Sequence, residues 1–143
     1  MGRQKQLKTR KSKLGRVIVV EDDPVQGVAL KSALLDAGAA EVVLCPSVAD
    51  AMLALEASEA DAVILDVHLA DRDDGWALAE LVDLLGPKPP RIVFATGAPE
   101  DIPPEIAELG LVFEKPYDPA ELARALVDGA STGLFARLRD VIT

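Results

Sequence analysis

Residues 16–24 read RVIVVEDDP, and the rest of the chain is best read outward from them. Val17, Ile18, Val19 and Val20 form an unbroken apolar, β-branched run, the pattern of a strand covered on both faces. Acids follow at once, and Asp23-Pro24 joins a capping side chain to a proline suited to the first helical turn. A buried strand, an acidic strand end and a helix start therefore come in sequence. The same unit recurs. Strand candidates are 16–21, 41–44 (EVVL), 61–66 (DAVILD), 91–95 (RIVFA) and 111–114 (LVFE). Five β/α repeats of this kind predict an α/β protein with an open, doubly wound parallel sheet and helices on both faces.

The intervening helices carry their own punctuation. The first stops at Gly38, one residue past Ala37. Ser47 with Asp50 resembles a capping box for the second. The third spans about 75–85, with Trp76 packed on the sheet and not serving as a ligand-stacking platform. Pro99, Pro103 and Pro104 leave room for only about two turns, 104–109, so the fourth helix is shortened. Asp118-Pro119 starts the fifth, which ends near Gly129. Beyond it, Leu134, Phe135, Leu138 and Ile142 fall at helical spacing, in a segment that either docks on the domain or pairs with another copy.

At 143 residues, half of them apolar, the chain has material for one core. We divide it into a basic tail at 1–15, expected to be disordered, a domain at 16–130 and a C-terminal helical extension at 131–143. No apolar run approaches the roughly 20 residues of a membrane span. Gln6 stands where a myristoylation signal needs Ser or Thr, and no signal-peptide core follows, so a cytoplasmic protein without membrane contact is expected. One cysteine, Cys45, and one histidine, His68, exclude an intramolecular disulfide and an ordinary zinc site; Cys45 reads as a small core residue.

The net charge of -9 conceals an asymmetry. Residues 1–16 hold seven of the fifteen basic residues and no acid, leaving eight against twenty-four acids, or about -16, on the body. That balance argues against nucleic acid as a partner of the body.

In a doubly wound sheet the binding crevice lies at the carboxyl ends of the strands. Glu21 and Asp22 close the first strand, Asp66 the third, and Thr96 and Lys115 follow the fourth and fifth. Three close carboxylates repel one another, so one is protonated or a cation compensates them. All-oxygen ligands without Cys or His side chains suit Mg²⁺, which takes one or two carboxylates and accepts phosphoryl oxygens elsewhere. Lys115 adds positive charge, Thr96 can donate a hydroxyl, and Asp66 can attack phosphorus. Asp23 reads as a helix cap and not a ligand, and Asp71, Asp73 and Asp74 as a solvated acidic loop.

VIVVEDDP, ILDVHL, FATG and EKPY, in this order, resemble the four signature segments of response-regulator receiver domains over roughly residues 16–130. The resemblance implies a flavodoxin-like five-stranded sheet in the order 2-1-3-4-5. It implies that Asp66 is the phosphoacceptor and Asp22 the main carboxylate ligand of Mg²⁺. Glu21 acts through a water, and His68 through its backbone carbonyl. Thr96 and Lys115 bind phosphoryl oxygens, and Pro116 fixes the following loop through a cis peptide. The implied partner is a histidine kinase or histidine phosphotransfer protein, with a downstream protein target and a monomeric or weakly dimeric state. Such a chain is a phosphoacceptor that assists its own phosphotransfer and autodephosphorylation, not a separate enzyme. Phe94-Ala95-Thr96-Gly97 is also similar to single-domain alphaproteobacterial receivers, although the aromatic they carry two residues after the threonine is Ala98 here. Val112 stands where most receivers carry Tyr or Phe, and Phe113 should point to the opposite face.

Three readings of function follow: a stand-alone phosphoacceptor acting by protein contact or as a phosphate sink, a pseudo-receiver acting without phosphorylation, and a small flavin- or nucleotide-binding enzyme. The last needs a phosphate-cradling loop after the first strand, and EDDPVQG repels phosphate unless a metal intervenes. The His68 ring reads as a solvated loop residue, with a role in phosphoryl lifetime as the alternative.

Overall fold

The computed structural model describes residues 14–72, 75–85 and 88–132. The basic segment before residue 14, Asp73, Asp74 and the apolar residues of 133–143 lie outside them. Five strands, β1 (Arg16–Val20), β2 (Glu41–Cys45), β3 (Ala62–Asp66), β4 (Arg91–Thr96) and β5 (Gly110–Glu114), form one sheet in the order β2-β1-β3-β4-β5. Every pairing is parallel, with Val17 beside Val42 and Ala62, and Thr96 beside Glu114. The described helices are α1 (Pro24–Asp36), α2 (Val48–Ala57), α3 (Val67–Arg72), α4 (Gly75–Asp83), α5 (Pro104–Ala107) and α6 (Pro119–Thr132).

Successive strand residues point to opposite faces, so each apolar run feeds two cores. Ile18, Val20, Val63, Leu65, Ile92 and Phe94 pack under α2, α4 and α5. Val17, Val19, Ile64, Val93 and Leu111 pack under α1 and α6, against Leu30, Leu34, Leu122 and Leu126. This double coverage is why the strands carry no alternation. Cys45 is a buried member of the first core, as expected.

The caps fall where the sequence places them. Asp23 Oδ1 accepts the N–H groups of Val25 (2.9 Å) and Gln26 (3.4 Å). Gly38 follows the end of α1 with φ +112°, a conformation that favours glycine. Ser47 Oγ accepts the Asp50 N–H at 3.1 Å and lies 3.0 Å from the Asp50 carboxylate. Asp118 Oδ1 accepts the Ala120 N–H at the head of α6.

Three details depart from the sequence reading. Residues 67–72, read as a loop, wind into α3 directly behind Asp66. Pro99–Asp101 forms a 3₁₀ turn before α5. The described α6 runs through Gly129 to Thr132, because the tertiary contact of this helix with α1 outweighs the weak helix propensity of one glycine. Arg16 opens β1 as read from the sequence, and its guanidinium donates to the carbonyls of Ala54 (3.0 Å) and Ser58 (2.7 Å) at the end of α2 and pairs with Glu41 at 3.3 Å. No described helix is long and apolar enough to cross a membrane.

Candidate functional site: an acidic crevice at the strand ends

The crevice is assembled from strand ends. β1 and β3 are neighbours, so Glu21 and Asp22 come to lie beside Asp66. Carboxylate oxygens of all three lie within 4.8 Å of one another. Asp66 is buried, Glu21 half-buried and Asp22 exposed, so the group combines a fixed inner acid with an outer one open to water.

Lys115 reaches in from the end of β5. Its Nζ lies 3.4 Å from Asp66 Oδ1 and 3.5 Å from Glu21 Oε1. Two backbone contacts fix the frame: the His68 N–H donates to Asp66 Oδ1 at 3.0 Å, and the Lys115 N–H donates to the Thr96 carbonyl at 2.7 Å. The peptide between Lys115 and Pro116 is cis, as the resemblance implies. Thr96 is buried and its Oγ1 accepts the Ala98 N–H at 2.9 Å. A hydroxyl that accepts one bond still has a proton to donate. The five strand-end residues are thus brought together; His68, with an exposed side chain, sits in the first turn of α3 instead of a loop.

The electrostatics follow from crowding. Burial pushes the Glu21 carboxyl above its usual value, and the Asp66 charge adds to this; the Asp23 N–H and Lys115 pull the other way. Asp23 goes down instead, because the Gln26 and Val25 N–H groups stabilise its charged form. Tyr117 is pushed up to about 12, first by burial and then by Glu21 and Asp66.

Hard oxygen donors with one open acid fit Mg²⁺, and among the described residues no imidazole or thiol joins the three carboxylates. A divalent cation held by these carboxylates would, together with the Lys115 ammonium, neutralise a phosphoryl group placed against Asp66.

Sequence reasoning missed the space next to this cluster. A cavity of about 520 Å³ opens from Asp66, Thr96 and Lys115 outward to His68, Trp76, Ala98 and Asp101. Trp76 forms its wall and packs on Phe94, ring centroids 6.2 Å apart, in accord with the sheet-packing role read from the sequence. Val112 lies under the same face, while Phe113 lies on the opposite one with Tyr117, 6.1 Å between rings.

A parallel 2-1-3-4-5 sheet with acids at the ends of β1 and β3 and a lysine after β5 defines a doubly wound α/β module whose site lies at the strand ends. The model of the response regulator receiver domain matches residues 17–127, and the chain belongs to that family. A CheY-like receiver domain from Methylobacillus flagellatus is similar at 30% identity and TM-score 0.69, over 80% of this chain and 98% of that one. A putative response regulator from Chloroflexus aurantiacus matches at 30% identity and TM-score 0.65, over 81% and 97%. The receiver domain of the sensor histidine kinase PA1611 from Pseudomonas aeruginosa, described with magnesium coordinated in its active-site cleft, matches at 25% identity and TM-score 0.66, over 82% and 98%. No curated protein matches the chain.

Proposed function

We propose that the chain is a phosphoacceptor that takes a phosphoryl group from a histidine kinase or histidine phosphotransfer protein onto Asp66, and signals by protein contact or drains phosphoryl groups from a shared kinase. The observation that carries this is Asp66 itself: buried, in contact with Lys115, and grouped with two further carboxylates that suit a divalent cation.

In this reading Asp22 and Asp66 would hold Mg²⁺ directly, Glu21 through a water and His68 through its backbone carbonyl. Bound there, the ion neutralises phosphoryl oxygens and screens the acids from one another. Lys115 takes one phosphoryl oxygen and Thr96 donates its hydroxyl to another. Asp66 is positioned by the His68 N–H, so positioning and charge carry the chemistry with no separate base. With Val112 in place of an aromatic, the change is relayed by the 97–109 segment as Thr96 is drawn toward the phosphoryl group. The chain supplies its own transfer and dephosphorylation machinery in a cytoplasmic setting, as a monomer or weak dimer.

Incubation with a small-molecule phosphodonor and Mg²⁺, followed by intact-mass measurement, tests the reading. One phosphoryl adduct is expected, lost with EDTA and in Asp66→Asn. Absence of both an adduct and beryllofluoride binding favours the pseudo-receiver.

A further inference from the structure

Resting on that reading, we propose that Asp101, which lines the cavity beside Trp76 and Ala98, is a donor-specificity residue that accepts the N–H of the phosphodonor's imidazole ring.

The site has two sides. Glu21 and Asp22, which form the cation cluster with Asp66, take no part in lining the cavity; the cavity opens past Asp66 toward the β4–α5 segment. A phosphoryl group against Asp66 displaces only a few waters, each roughly 30 Å³ in the liquid. Most of the 520 Å³ is therefore left for the remainder of the donor. Ala98 keeps that space clear, and the Trp76 indole offers it a flat apolar wall held by Phe94.

Asp101 supplies the polar group. It is exposed, it lines the cavity, and its N–H donates to the Ala98 carbonyl at 2.9 Å, so the 3₁₀ turn fixes its backbone. In the transfer, an Asp66 oxygen forms a bond to phosphorus and the P–N bond breaks. Its electron pair goes to the ring nitrogen, and a ring already protonated on its second nitrogen departs as neutral imidazole with that proton. A carboxylate beside the second nitrogen favours the protonated ring. The same carboxylate repels a donor whose leaving group departs as an anion, such as the acetate of acetyl phosphate.

Initial rates of Asp66 phosphorylation from phosphoimidazole and from acetyl phosphate, in Mg²⁺, test this on the wild type and Asp101→Asn. The variant is expected to react more slowly with phosphoimidazole and faster with acetyl phosphate, changing the ratio of rates about fivefold, the scale of one exposed ion pair. Equal change with both donors, or an unchanged ratio, overturns the assignment. Trp76→Leu is expected to lower the same ratio, and beryllofluoride binding checks that each variant keeps its fold. A wild type that accepts from neither donor defeats the proposed function itself; a wild type that accepts from both with a ratio insensitive to Asp101 defeats only this inference.

Discussion

Glu21 bears the electrostatic load of the crevice. Burial and the Asp66 charge both disfavour its ionised form, and Lys115, shared with Asp66, offsets this only in part. A carboxyl whose pKa is raised by folding favours the folded state while protonated. That contribution is full below its usual value of 4.5 and disappears as pH rises through the higher folded value. In Mg²⁺-free buffer, Glu21→Gln is therefore expected to raise Tm at pH 8. The gain should vanish near pH 4; thermal melts across this range would contradict the account if the variant melted lower at pH 8. The residues of this cluster were legible because each ends or follows an apolar run. Asp101 and Trp76 were not: nothing periodic in a sequence tells that a 3₁₀ turn after β4 and the head of α4 share a cavity.

The turn from α5 into β5 is fixed by a close approach. A Cβ on Gly110 would run into the Ile92 carbonyl across the β4–β5 pair, so the register of Ile92 with Gly110 demands glycine. Gly110→Ala is expected to destabilise the fold by about 1–3 kcal/mol, the range for overpacking, read as a lower urea midpoint at unchanged m-value. An unshifted midpoint would mean that β5 gives way freely. Elements of this kind were largely readable beforehand. Strand positions follow from uninterrupted apolar runs, and the starts of α1, α2 and α6 from Asp23, Ser47 and Asp118. What stayed hidden was α3, because VHLADR is too short to show a helical period and its cap is Asp66, whose carboxylate accepts the His68 N–H and which the sequence presents first as a site residue.

Across the molecule, the sheet separates two cores with different neighbours. The face under α2, α4 and α5 carries Phe94 and Trp76 and borders the cavity, whereas the face under α1 and α6 carries Phe113 and Tyr117. Divalent-cation binding to the native carboxylates and not to the unfolded chain must raise global stability. Mg²⁺ at a hundred times its Kd is expected to add about 2.7 kcal/mol, a rise in Tm of roughly 5–10 °C that Asp22→Asn should largely remove. A melting curve of the wild type indifferent to Mg²⁺ would dissociate the acidic cluster from any metal. The wall of the cavity has one more consequence. Trp76 is the chain's single tryptophan, so the indole emission of the whole protein originates at the edge of its reacting site. The molecule carries a built-in optical probe there, and occupancy of the crevice can be followed in real time without attaching a dye.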